Sequence, residues 1–156
     1  MKFIWTKSTI LGGNEDLITW FLDEPCSHFA IEFSDGSVFH SSLFGVEFLT
    51  KDEFYSHRVK VFEICYPYAR ETKIKDKLKQ FVRYKYDWLF FFWLTWASIK
   101  RMIFKIPLQD RIELQQTNGI LCTEAIDLLP KQYNNNIDLS RVTTPYKLYN
   151  ILRTKG

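Results

Sequence analysis

The amino-acid sequence predicts a single α+β domain over residues 1–156, with an antiparallel sheet packed against helices. The length falls within the range of about 100–200 residues that is usual for one domain. Apolar residues make up 46% and charged residues 25% of the chain, which is enough apolar material to bury a core. Short β-rich segments are concentrated in the first half, and longer helical patterns follow them. That order is typical of the α+β class.

The first elements are predicted to be a helix and a hairpin. Residues 8–25 indicate a turn at a glycine pair and then a short helix with apolar residues at helical spacing. Residues 28–33 and 37–42 are β-rich, and the turn signal Ser-Asp-Gly at 34–36 separates them. With the turn centred on Asp35 and Gly36, residue 31 lies opposite residue 40.

Later segments continue the same pattern. The sequence predicts a strand and a turn at 45–54, a strand at 58–66, a helix at 71–88 that continues through 88–99, a compact helix at 120–130, and a short element near the C-terminus.

Composition argues against several classes of function. A formal net charge of +3 is too weak for a nucleic-acid reader, and the basic stretch 73–85 has the apolar spacing of a solvated helix face. No CxxC or HExxH spacing supports a metal site, so we expect neither a metal nor another cofactor.

The N-terminus lacks the features of a signal peptide, and three cysteines cannot all pair. We therefore expect reduced thiols and synthesis in the cytoplasm, although a virion location or another export route stays open.

The uncharged aromatic segment 88–99 has two open interpretations. Its twelve residues are fewer than the roughly 20 that a helix needs to cross a bilayer. A buried helix is the favoured interpretation. The alternative is a peripheral membrane contact, because three tryptophans lie in the segment and basic residues follow it.

Cys122 is the strongest candidate for a nucleophile. It follows the turn residues Thr-Asn-Gly at the predicted start of a helix, where free backbone amides stabilise a thiolate and bind an oxyanion. Cys65 lies within a predicted strand, and Cys26 lacks a helix start, so both are expected to be structural or incidental.

The histidines are ambiguous when they are considered alone. The hairpin pairing offsets His28 from His40 by about three residues, or about 10 Å of strand rise, and so does not place them in contact. His28 is then a polar residue at a strand end and His40 a surface residue, unless the two form a functional pair. His57 lies at a predicted turn and is expected to be incidental.

Four short motifs occur together in a characteristic order: "SHFAIEFSDGSVF" at 27–39, "YDW" at 86–88, "LCTEAIDLL" at 121–129 and "TTPYKLYN" at 143–150. In this order the sequence resembles the circularly permuted branch of the NlpC-type papain-like superfamily, which includes YiiX-like and lecithin:retinol acyltransferase-like proteins. The resemblance covers about residues 8–150. Thr123 departs from it, because a serine is more usual at that position.

The resemblance implies a papain-like fold with a Cys-His-His triad. Cys122 would be the nucleophile, His28 its base, and His40 the residue that orients His28. Tyr86 and Trp88 would contribute to substrate binding.

The resulting expectation is a cysteine peptidase or amidase that cleaves an amide bond through a thioester. The substrate would be a peptide or a cell-wall crosslink. A lipid-directed acyltransferase or phospholipase of the same fold is one alternative, and a non-enzymatic interaction module is another. Neither the substrate nor the oligomeric state follows from the sequence.

Overall fold

The computed structural model describes most of the first half of the chain and parts of the second half. The described residues are 1–9, 19, 23–42, 44–65, 71–85, 92, 95–97, 99–100, 103–105, 122–126, 128–129 and 144–155.

The described part of the fold is organised around one five-stranded antiparallel sheet in the order β4-β3-β2-β1-β5. The strands are β1 (Lys2–Ser8), β2 (His28–Glu32), β3 (Ser37–Ser42), β4 (Gly45–Thr50) and β5 (Arg58–Cys65). The helices are α1 (Lys51–Tyr55), α2 (Glu71–Lys79), a 3₁₀ helix (Cys122–Ile126) and α3 (Pro145–Lys155). This arrangement confirms the α+β class.

Strand β1 lies between β2 and β5, and the sequence analysis did not predict it. Its central residues are buried on both faces, with Phe3 and Trp5 on one side and Ile4 and Thr6 on the other. A strand that is covered on both faces loses the polar and apolar alternation by which half-buried strands are recognised. The chain therefore begins with a strand, ahead of the helix that was predicted to come first.

The larger part of the core covers one face of the sheet, which we call the helical face. Strand residues Phe3, Trp5, Phe29, Ile31 and Phe39 pack there against the helices. The helices contribute Ile74, Leu78, Cys122, Ala125, Ile126, Leu148 and Leu152. The Trp5 indole donates a hydrogen bond of 2.8 Å to the carbonyl of Pro145, which joins the central strand to α3.

The opposite face, which we call the α1 face, carries a smaller cluster. Ile4, Ala30 and Val38 pack there against Phe54 of the short helix α1. A capping box fixes the start of α1, because the side chain of Thr50 accepts from the backbone of Glu53 and the Glu53 carboxylate accepts from Thr50. The helix therefore holds Phe54 over the centre of this face.

The β2–β3 hairpin forms as predicted, but its pairing differs by one residue. Ala30, rather than residue 31, lies opposite His40. The loop has three residues instead of two, because Phe33 and the residue at 37 close it and Gly36 adopts a positive φ of 82°. A glycine in the left-handed region at the last loop position is usual in three-residue hairpin loops. The shift by one residue reverses which residues of β2 share a face with those of β3.

The predicted strand at 58–66 is observed as β5, and the strand at 45–54 as β4 followed by the short helix α1. The predicted helix at 71–88 begins where expected but ends at Lys79, after which residues 80–83 form turns. There Arg83 donates to the Val46 carbonyl, and Val46 donates to the carbonyl of Tyr84. These bonds to β4 compete with continuation of the helix.

Two further predictions are modified. The compact helix predicted at 120–130 is a 3₁₀ helix of five residues within the described part of that segment. The interpretation of 88–99 as a buried helix is wrong for Phe92 and Trp96, which are helical and exposed. The turn and short helix predicted within 8–25 lie outside the described residues, except for 8–9, 19 and 23–25; residue 8 ends β1 and Thr19 is helical.

Candidate active site

His28 and His40 lie side by side on the α1 face. Their ring centroids are 5.4 Å apart and their planes meet at 76°. Because Ala30 pairs with His40, His28 is two residues from the directly opposed position and points to the same side of the sheet. The predicted offset of about three residues would have placed the rings on opposite faces, and the observed pairing corrects it.

Both rings are buried, and both pack on Phe54. The centroid of Phe54 lies 6.1 Å from that of His28 and 5.3 Å from that of His40. His40 is only 1% exposed, so its interpretation as a surface residue is wrong. Helix α1 thus closes the site from outside and restricts both imidazole rings.

Glu47 is a member of the site that sequence reasoning missed. It lies directly opposite His40 on β4, and its carboxylate oxygen Oε1 is 3.4 Å from His40 Nε2. The Ser42 hydroxyl donates to the same oxygen at 3.3 Å. Glu47 could have been found only from the strand pairing, since nothing in its local sequence distinguishes it from other charged strand residues.

The environment of His28 favours the neutral imidazole. Complete burial lowers the pKa of His28 well below its usual value of 6.5, and the positive charge of Arg58 lowers it further. The guanidinium of Arg58 lies 5.0 Å from the centre of the Phe54 ring, beside the histidines. A neutral imidazole can accept a proton, which is the property that a general base requires.

Three buried polar side chains at this end of the sheet have no hydrogen-bond partner within the described part of the chain. They are the Thr6 hydroxyl, the Ser27 hydroxyl and Nε2 of His28. Thr6 and His28 are paired across β1 and β2.

Cys122 lies at the start of the 3₁₀ helix and belongs to the core of the helical face. The 3₁₀ helix packs against β2 and β3, the two strands that carry the histidines. His28 and His40 point to the opposite face, where both rings pack on Phe54. The structure therefore brings the two histidines together and leaves the cysteine on the other side of the sheet.

The 3₁₀ helix also changes the expected source of thiolate stabilisation. Five residues align too few peptide dipoles to act as the N-terminus of a longer helix would. Free backbone amides at the Cys122 end therefore stabilise a thiolate less than those at the start of a longer helix would.

The other two cysteines differ in their surroundings. Cys26 is fully buried beside Cys122, and burial, Glu24 and Cys122 raise the pKa of its thiol to about 12. A thiol with so high a pKa is a poor nucleophile at neutral pH. Cys65 lies within the predicted strand, at the edge of the sheet in β5, and is exposed.

The predicted substrate-binding residues Tyr86 and Trp88 lie outside the described residues. Within the described part of the chain, no three His, Cys, Asp or Glu side chains are placed to hold a metal ion. No described helix is long and apolar enough to cross a membrane.

Comparison with known proteins gives no match to a family model, to a curated protein or to a solved structure.

Proposed function

We propose that this chain is a papain-like cysteine hydrolase that cleaves an amide bond with Cys122, His28 and His40. The observation that carries the proposal is the buried contact between His28 and His40 on neighbouring strands. Burial of two imidazole rings in edge-to-face contact costs free energy, because polar groups lose hydration on burial. The packing of the Cys122 helix on the same two strands also supports it.

The chemistry assigns one role to each residue. His28 accepts the thiol proton of Cys122, and the sulfur attacks the carbonyl carbon of the substrate. The carbon–nitrogen bond then breaks, and the departing amine takes the proton from His28. Water attacks the resulting thioester, which releases a carboxylic acid and restores the thiol.

His40 would act as a positioning residue. Its Nε2 faces the Glu47 carboxylate, and its ring edge contacts His28. These two contacts would hold the His40 ring against that of His28 and so restrict the orientation of the His28 imidazole. The order Glu47, His40, His28 thus resembles the relay of orienting groups behind other catalytic imidazoles.

The proposed reaction requires Cys122 to reach His28. His28 is the first residue of β2, so its ring lies at an end of the strand rather than over the middle of the sheet. A sulfur from the helical face would approach it around that end, next to the unbonded hydroxyl of Ser27. The proposal therefore includes a rearrangement of the Cys122 segment when substrate binds.

Labelling with iodoacetamide across pH, followed by mass spectrometry of each cysteine, tests the assignment. Exposed Cys65 supplies the rate of an ordinary thiol, and buried Cys26 the rate of a protected one. We expect Cys122 to react faster than its 8% exposure predicts. The His28→Asn substitution should slow Cys122 alone, whereas His57→Asn, at an exposed turn position, should not.

Trapping with p-nitrophenyl acetate tests the thioester directly. We expect an acetyl group on Cys122 in the wild-type protein and none in Cys122→Ala. If Cys65 alone carries the acetyl group, or if His28→Asn leaves the Cys122 rate unchanged, the hydrolase assignment is wrong. A non-enzymatic interaction module would then be the better description.

A lipid-directed acyltransferase or phospholipase remains a second candidate. The exposed aromatic side chains Phe92 and Trp96 favour it, since an enzyme that acts on lipids must bind their surface. Incubation with phospholipid vesicles distinguishes the two: a fatty acyl adduct on Cys122 would support the lipid substrate.

A further inference from the structure

A solvent-exposed apolar surface lies in the segment after residue 90. Phe92, Trp96, Ile103 and Phe104 are helical residues, and each exposes between 58% and 67% of its surface. We call these four residues the apolar stripe. Phe92, Trp96 and Ile103 are separated by four and seven positions, which are the spacings of one helical face.

Basic side chains accompany the apolar stripe. Lys100 lies four residues after Trp96 on the same face, and its ammonium group is 5.5 Å from the centre of the Trp96 ring. Lys105 directly follows the stripe and is exposed. Acidic residues are absent from 88–105, so every charged residue of that segment is basic.

We propose that the apolar stripe, with Lys100 and Lys105, docks this protein on an anionic lipid surface. Aromatic side chains prefer the boundary between headgroups and acyl chains, and lysines beside them attract anionic headgroups. In this proposal the stripe would lie in the plane of the membrane surface, with its apolar side chains toward the acyl chains. The docking surface does not depend on the proposed thiol chemistry.

The composition of the stripe favours a lipid surface over a protein partner. The described part of this surface combines four large exposed apolar side chains with basic neighbours, as membrane-interface segments do. Insertion of the same side chains at the boundary between headgroups and acyl chains needs no surface of complementary shape, because the lipid molecules rearrange around them. The stack of Lys100 on Trp96 also keeps the charge at the level of the indole, where headgroups lie.

Vesicle co-sedimentation of the full chain tests the proposal. We expect binding to phosphatidylserine-containing vesicles, weaker binding to pure phosphatidylcholine, and loss of affinity as salt is raised. Replacement of Phe92 and Ile103 by serine should weaken binding about tenfold or more, and Lys100→Gln about fivefold. All three side chains are largely exposed, so circular dichroism should show unchanged folding.

Matched control variants remove the same chemistry elsewhere. Phe44 is fully exposed at the β3–β4 turn, and Phe44→Ser should leave vesicle binding unchanged. Lys73 is an exposed lysine of α2, and Lys73→Gln should have little effect. A blue shift of tryptophan emission on vesicle addition should disappear in Trp96→Phe.

Three outcomes overturn the proposal. The first is no binding of the wild-type protein to vesicles of either composition. The second is equal binding to both compositions at low salt, which would remove the role of Lys100 and Lys105. The third is a dimer in solution that the stripe substitutions dissociate, because the stripe would then be covered by a second copy of the chain.

Discussion

Burial of His28 should make the stability of the fold depend on pH, and the His28→Asn substitution should remove that dependence. The folded state lowers the pKa of His28 well below 6.5, chiefly by burial and secondarily through Arg58. Below pH 6.5 the unfolded chain therefore binds a proton at His28 that the folded chain does not bind. Stability is fully present above that pH and is lost as the pH falls, until the pH reaches the lowered pKa of the folded state.

The magnitude follows from proton linkage. One proton taken up only on unfolding changes the free energy of unfolding by up to about 1.4 kcal/mol per pH unit. Between pH 6.5 and pH 5 the wild-type protein should thus lose up to about 1.5–2 kcal/mol through His28. A typical domain has only about 5–15 kcal/mol in total, so the effect is readily measured.

Urea unfolding at several pH values, followed by tryptophan fluorescence, measures this dependence. The comparison is between the slopes of stability against pH, so any loss of packing in His28→Asn at pH 7.5 does not affect it. His57→Asn removes an exposed histidine and should keep the wild-type slope. Equal slopes for the wild-type protein and His28→Asn would show that His28 binds protons equally well in the folded and unfolded states, which would refute the effect of burial on its pKa.

Two further predictions concern the packing that holds the sheet. Gly45 has a φ of 122°, and an added Cβ would lie 2.7 Å from the Tyr84 carbonyl oxygen; Gly45→Ala should therefore cost about 2–4 kcal/mol in urea unfolding. Gly36 has a φ of 82°, but no atom lies within 4 Å of an added Cβ, so Gly36→Ala should lower the free energy of unfolding by only about 1 kcal/mol. Equal losses of stability at Gly36 and Gly45 would refute the close contact between Gly45 and Tyr84. Trp5→Phe should lower the thermal midpoint, because it leaves the Pro145 carbonyl without its indole donor at a cost of about 1–3 kcal/mol; an unchanged midpoint would mean that water replaces the indole.

The hairpin illustrates how far local sequence can be followed. The Ser-Asp-Gly signal was sufficient to predict both strands and the turn between them. It did not distinguish a two-residue from a three-residue loop, and that difference decides whether His28 and His40 share a face. A change of one residue in the loop therefore moves a side chain to the other face of the sheet, although the strand itself still forms.

Other parts of the fold depend on contacts that are distant in sequence. Strand β1 has no alternating pattern because neighbours cover both of its faces. Glu47 is recognisable only once β3 and β4 are aligned. The placement of Cys122 on the helical face depends on the packing of the 3₁₀ helix, for which no local motif exists. Local sequence patterns thus predict helices and strands. The face of the sheet on which each residue lies depends on how the strands pair in the folded protein.

The position of β1 has a consequence for the order of folding. Strands β2, β3 and β4 follow one another through short connections, so their pairing closes small loops and can form early. Strand β1 must instead join β2 on one side and β5 on the other, and its partners in β5 lie 50 to 63 positions away. Closing such a loop costs more chain entropy, so β1 should be among the last strands to join the sheet. Until it does, β5 has no partner in the sheet, and its exposed edge is the part of the folding chain most open to mispairing.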